Sequence, residues 1–218
     1  LMKILIIFFI LNFESLKNLS LGKKIVIVTG ASKGMGASES VLFASEGACV
    51  MVCDIDEELG RTVADKIVDF GGKAEFFHCD VRNESNWDAL MTYVVNKFGS
   101  LDVLVNNAGI QHRQLIADLD EVNWRRVLET NLTAPFLLAK AAAAAMVARK
   151  SGKIINICSL ASEVTRPNIA PYTTAKGGLK SSQRKAGHAE RGGKVFGSGY
   201  VVDRRGEGLG EVFRKVCL

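Results

Sequence analysis

From Lys23 onward, short apolar runs alternate with longer amphipathic stretches, and the two periodicities separate strands from helices. Near-continuous apolar runs at 25–29, 48–53, 74–79, 103–106 and 153–158 predict strands, because a parallel strand covered on both faces needs no polar side. Between them, 37–46, 57–70, 84–98 and 123–150 carry apolar positions at helical spacing and predict helices. The last of these contains the alanine run 141–145, strong helix-forming material. It also contains Pro135, which predicts a kink or interruption because proline donates no backbone hydrogen bond. Gly71-Gly72 and Gly99-Ser100 stand where helices must stop, as left-handed caps require. This alternation predicts an α/β fold, a doubly wound, Rossmann-like parallel sheet covered by helices.

The pattern fails after Gly178. Residues 181–218 hold eight glycines and little apolar periodicity, with only short runs, such as Tyr200-Val201-Val202, that suggest a strand. Three segments follow: an apolar extension at 1–15, a body at 16–180 and an atypical tail at 181–218. At 218 residues the chain suits one domain with a buried core. The run Ile4 to Leu11 has the apolar character of a signal peptide, but Asn12, Phe13 and Glu14 stand where small residues should prepare cleavage. Eight apolar residues also fall short of a membrane-spanning helix, so the stretch reads as an extension of a cytoplasmic protein with no membrane span.

Charge narrows the partners. Lysine plus arginine total 28 against 23 acidic residues, a formal +5. From Lys180 onward there are nine basic and four acidic residues, leaving 19 of each sign before it. A neutral body argues against a nucleic-acid groove and for a small-molecule partner. The five cysteines, Cys49, Cys53, Cys79, Cys158 and Cys217, show neither metal-ligand spacing nor the density of a disulfide-stapled fold, so no metal is expected and a reducing compartment fits.

Three constellations carry chemistry. The first turn between a strand and a helix reads Gly30-Ala31-Ser32-Lys33-Gly34-Met35-Gly36, with glycines where a tight turn, a close backbone approach to pyrophosphate and a helix N-terminus facing the anion would need them. Asp54, at the end of the second strand and 24 residues past Gly30, suits an acceptor for ribose hydroxyls that repels a 2′-phosphate. That favours NAD over NADP, whereas Lys33 in the glycine turn would favour the phosphate. Tyr172 and Lys176, behind Pro171, stand four residues apart on one helical face, where an ammonium favours a phenolate and fits it for proton transfer.

With Asn106-Asn107-Ala108-Gly109 after the fourth strand, then Asn131, Ser159, Tyr172 and Lys176 in order, the chain resembles the short-chain dehydrogenase/reductase family over about residues 16–180. The resemblance implies that Ser159 holds the substrate oxygen and that Tyr172 donates or accepts its proton. It implies that Lys176 binds the nicotinamide ribose and lowers the tyrosine pKa, and that Asn131 holds a helix kink and a relay water. Asp80 and Val81 match the adenine contact, and Asn107, Ala108 and Gly109 match the cofactor-supporting segment. Within the family, Asn107-Ala108-Gly109-Ile110-Gln111 and the run from Ile155 to Glu163, with Arg166, Ile169, Pro171 and Tyr172, look most like gluconate 5-dehydrogenases, which interconvert D-gluconate and 5-dehydrogluconate. Gln111, Arg113, Glu163 and Arg166 then become candidates for gripping a sugar acid or polyol, an arginine fork suiting a carboxylate. Another sugar or polyol dehydrogenase, or a dinucleotide-binding remnant without turnover, are the alternatives.

The resemblance also implies a homotetramer, built through the long helices and the C-terminal sheet edge, which the altered tail does not favour. Members of the family continue the Tyr/Lys helix with an apolar face and then add strands and a substrate lid. Here Ser181-Ser182-Gln183-Arg184-Lys185 takes that place. Translation out of frame and erosion of a homologous segment, traced in Ala189-Glu190 and Gly197-Ser198-Gly199-Tyr200, both fit. On either account the C-terminal strands are expected to be missing.

Overall fold

The computed structural model describes residues 21–164, 166–186 and 194–200. Six parallel strands form one sheet: β1 (Ile25–Thr29), β2 (Cys49–Asp54), β3 (Lys73–His78), β4 (Val103–Asn106), β5 (Ser151–Ile157) and β6 (Lys194–Tyr200). Their spatial order, β3-β2-β1-β4-β5-β6, places the reversal of strand order between β1 and β4. Loops leaving the carboxyl ends of those two strands diverge to opposite sides and open a crevice, the place where doubly wound sheets bind ligands.

Helices α1 (Gly34–Ser45) and α2 (Glu57–Asp69) cover one face, where Val26, Val28, Val50, Val52 and Val105 pack with Phe43 and Ile67. The other face lies under α3 (Glu84–Phe98) and α5 (Ala134–Ala148), with Ile27, Met51 and Leu104 against Leu90, Leu138 and Met146; α4 (Glu121–Leu128) stands ahead of α5 in the chain. Burial on both sides explains why these strands read as uninterrupted apolar runs. Helix starts follow local chemistry: Asp56, Asn83 and Asp120 each accept a first-turn N–H with the side chain. Gly99 ends α3 at φ 72°, a left-handed cap.

The long helix predicted over 123–150 is two helices joined by a π-helical segment, Glu129–Thr133. Pro135 sits in the first turn of α5, where its missing N–H costs nothing, so the break falls just ahead of it. Among the described residues, the stretch Glu121–Ala148 is long and apolar enough to cross a membrane by length and composition. Its Leu138, Ala142 and Met146 are buried in the core cluster beneath the sheet.

Helix α6 (Ala170–Ala186) runs past Lys180, and β6 pairs in parallel register with β5 from Ser151↔Lys194 to Ile157↔Tyr200. The expectation that the C-terminal strands are missing is therefore corrected for the sixth strand. The free edge of β5 offers a complete row of backbone donors and acceptors, and pairing with it requires no apolar alternation in the partner strand. The expected N-terminal extension at 1–15 and the run beyond Tyr200 lie outside the described residues.

Candidate active site

A cavity of about 1430 Å³ opens at the carboxyl ends of the strands and runs from Asp54 and Asp80 past Asn107 to Ser159, Tyr172 and Lys176. Its floor is the turn from β1 into α1. Gly30 has φ 64° and Gly34 φ 59°, conformations that side chains resist. A Cβ on Gly34 would meet nothing within 4 Å, so this turn presents open backbone. A Cβ on Gly36 would lie 2.4 Å from the Gly30 carbonyl oxygen and 2.5 Å from Asn107 Nδ2, so glycine is required there for close packing. Lys33 precedes α1 with extended backbone and no capping bond from its side chain, so the first-turn N–H groups receive no side-chain cap from it. Met35 and Lys33 line the cavity, while Ser32 is buried beneath the turn with no partner for its hydroxyl.

Side chains from β1, β2 and β4 hold this turn. Thr29 Oγ1 accepts N–H bonds from Asn107 and Ala108 at 3.1 and 3.2 Å and donates to the Val105 carbonyl. Asn107 Nδ2 donates to the carbonyls of Thr29 and Gly30. Asp54 accepts three backbone N–H bonds, from Ser32 at 2.9 Å, Ile55 at 2.8 Å and Asp56 at 3.1 Å. The carboxylate is thus fixed between the end of β2 and the glycine turn. Asp80 accepts a two-pronged pair from Arg82, which holds its carboxyl below the usual carboxylate range, and Val81 beside it is buried against the cavity.

At the other end, Asn131 lies in the π-helical segment, fully buried. Its side chain accepts from the Ile110 N–H at 2.8 Å and donates to the Ile110 carbonyl at 2.7 Å, pinning the loop that carries Gly109, Gln111 and Arg113. Ser159 ends the loop after β5 and accepts the Ala161 N–H with its Oγ, opening a short 3₁₀ turn, Leu160–Ser162. Lys176 is 3% exposed; its Nζ donates to the Ile157 carbonyl at 2.6 Å and lies 5.9 Å from the centre of the Tyr172 ring. Burial lowers the Lys176 pKa to about 8, against the opposing pull of Cys158.

The structure gathers Asp54, Asp80, Asn107, Ser159, Tyr172 and Lys176 around one cavity, whose lining also includes Gln111, Arg113 and Arg166. Asn131 stands behind the wall as a strut. Glu163 is absent from that lining: it is exposed and ion-paired with Lys180 of α6. Sequence reasoning missed Thr29 and Ile110, the partners of Asn107 and Asn131. Those contacts join residues far apart in the chain, and no local spacing reveals them.

Sheet order, glycine turn and crevice define a nucleotide-binding α/β protein of the doubly wound class. Residues 24–195 match the family described as short chain dehydrogenase, and the chain belongs to that family. It is similar to a trans-4-hydroxycyclohexanecarboxylate dehydrogenase of Sinomonas cyclohexanicum, 44% identical over 164 residues, which are 72% of this chain and 63% of that protein. It is similar also to a 5-keto-D-gluconate 5-reductase of Escherichia coli (strain K12), 36% identical over 165 residues, 76% of this chain and 65% of that one. The chain thus spans under two thirds of the length of these relatives. A solved gluconate 5-dehydrogenase from Burkholderia cenocepacia J2315, in complex with NADP and tartrate, superposes with a TM-score of 0.75 at 34% identity, covering 85% of this chain and 74% of that one.

Proposed function

We propose that this chain carries the catalytic body of a nicotinamide-dinucleotide oxidoreductase that interconverts the secondary alcohol and ketone of a hydroxy acid. D-Gluconate and 5-dehydrogluconate are the pair implied by the resemblance. The observation that carries this reading is the placing of Lys176 Nζ beside the Tyr172 ring in the same cavity as Asp54 and the glycine turn. The residues present fit the cofactor: the Gly34 backbone is open, the buried Ser32 hydroxyl lacks a protein partner, and α1 begins there without a side-chain cap. A bound dinucleotide supplies a hydride acceptor or donor. The glycine turn would hold the pyrophosphate, Asp54 the adenosine ribose, Asp80 and Val81 the adenine, and Asn107 to Gly109 the span toward the nicotinamide. Ser159 Oγ orients the substrate oxygen. Tyr172 takes its proton on oxidation and returns it on reduction, with the Lys176 ammonium beside its ring. Arg113 and Arg166 face the substrate carboxylate.

NAD(H) is the preferred cofactor in this reading, although the Burkholderia relative was solved with NADP. Three backbone bonds hold the Asp54 carboxylate in place, so it cannot swing away from a 2′-phosphate. Fluorescence titration is expected to show tighter NADH than NADPH binding, and Asp54→Ala to narrow the gap. Tighter NADPH binding by the unmodified chain would assign the choice to Lys33 instead. Gly36→Ala is expected to abolish binding of both, because its Cβ requires the Gly30 carbonyl or Asn107 to move. Retained affinity in that variant, with its circular dichroism unchanged, would remove the glycine turn from the binding site.

A further inference from the structure

The ends of β2 and β3 are tied together by the Cys79 N–H, which donates to the Asp54 carbonyl, and the turns that follow both strands line the cavity. Ile55 and Val81 give that lining apolar surface, and Asp80 gives it a carboxylate. Arg82 engages this carboxylate three times. Its backbone N–H and Nε donate to Oδ1 at 3.0 and 2.9 Å, and its Nη2 donates to Oδ2 at 2.6 Å. The backbone of Asp80 is fixed as well, its N–H donating to Asn86 Oδ1 at 3.0 Å and its carbonyl accepting the Asn83 N–H at 2.9 Å.

Both side chains are partly open to solvent, 42% for Arg82 and 27% for Asp80, so the ion pair adds little stability by itself. What it supplies is geometry. An ionised carboxylate accepts at about four lone-pair sites and donates at none. Three are filled by Arg82, and the site that remains belongs to Oδ2. The other guanidinium N–H groups of Arg82 lie outside the two-pronged pair, and the Glu129 carboxylate also acts on its charge.

Resting on the dinucleotide reading above, we infer that Arg82 is a positioning residue for base selection. By holding Asp80 in one rotamer it leaves a single directed acceptor, which takes the 6-amino group of an adenine and opposes the carbonyl of a 6-oxopurine. A 6-amino group donates to the carboxylate. A 6-oxo group brings only lone pairs there, so a charge-assisted hydrogen bond is replaced by two acceptors facing each other. Without Arg82 the Asp80 side chain would distribute among its staggered wells, and holding it toward the base would cost part of the binding energy. Asp80 reads the base, and Arg82 sets the direction from which it reads.

Fluorescence titration of the full chain with NADH and with reduced nicotinamide hypoxanthine dinucleotide tests this, because the two ligands differ only in a 6-amino or 6-oxo purine. The unmodified chain is expected to bind NADH at least about tenfold tighter, the effect of one hydrogen bond to a charged group. Arg82→Gln is expected to lower that preference at least about threefold. A change that merely loosened the fold would weaken both ligands together and leave the ratio alone. Asp80→Asn is expected to lower the preference likewise, and adding Arg82→Gln to it to move the ratio no further, since the arginine acts through the carboxylate. Equal binding of the two ligands by the unmodified chain would mean that the base is not read by Asp80. A ratio unmoved by Arg82→Gln, or one that falls further in the double variant, would remove Arg82 from the selection. A ratio that rises would show the guanidinium competing with the base for the carboxylate, and overturns the inference equally. If neither ligand binds the unmodified chain, the dinucleotide reading falls and this inference with it, whereas binding without discrimination overturns this inference alone.

Discussion

Replacing Tyr172 by phenylalanine is expected to lower turnover by about 10³ while changing dinucleotide affinity little, since a positioned acid or base supplies roughly 10² to 10⁴ in rate. The ring and its packing survive this change; only the proton path is removed. Lys176 Nζ still donates to the Ile157 carbonyl, so the floor of the site keeps its shape. The measurement needs an active background. Residues 1–218 alone are expected to reduce 5-dehydrogluconate negligibly, because hydride transfer demands near-attack placement that the body does not impose by itself, and small misplacements cost rate steeply. A chimera carrying a full-length relative's segment after Lys180 is expected to turn over. Tyr172→Phe should silence that chimera again. The basic limb of the active chimera's rate profile should lie near pH 8, where the buried Lys176 loses its charge. Robust turnover by residues 1–218 would end the argument about placement, and a chimera indifferent to Tyr172→Phe would end the assignment of the proton to that phenol.

The parts of this site legible in the sequence are those whose chemistry is local. A glycine turn between an apolar run and a helix announces itself because backbone conformation and close approach restrict the residue at each position. Tyr172 and Lys176 share a face through helical spacing alone. What stayed hidden depends on contacts across the sheet. Glu163 reads as a substrate ligand by its place in the chain, yet its carboxylate is taken by Lys180, a partner no spacing rule connects to it. Asp54 reads as a ribose acceptor, but its three backbone bonds, one reaching the glycine turn, appear only when β1 and β2 are side by side. The break in the long helix was legible through Pro135, although the structure moves it to the π-helical turn that buries Asn131. β6 was illegible because an edge strand is held by the backbone of β5, which its glycine-rich sequence does not reveal.

One feature hidden from periodicity should dominate the stability of the fold against pH. Glu39 falls on α1 where a charged residue reads as solvent-facing, yet it is 3% exposed and neither carboxylate oxygen has a partner. Desolvation with no compensating cation raises its pKa from 4.5 to about 8. The unfolded chain therefore releases this proton near pH 4.5, whereas the folded chain keeps it until about pH 8. Stability from this group is full below pH 4.5, falls through the interval between the two values by about 1.4 kcal/mol per pH unit, and levels off above it. The accumulated loss, on the order of 5 kcal/mol, is a large share of the roughly 5–15 kcal/mol that holds a domain together. Chemical denaturation of the unmodified chain and Glu39→Gln across pH 5 to 8.5 isolates this contribution, because the other titrating groups are common to both. The glutamine variant is expected to gain steadily on the parent as pH rises, and Glu39→Met, which removes the unpartnered polar atoms as well, to gain more. A difference that stays flat over that range would mean that Glu39 is ionised in the folded chain, and that a cation or water reaches it on the face where α1 meets the sheet.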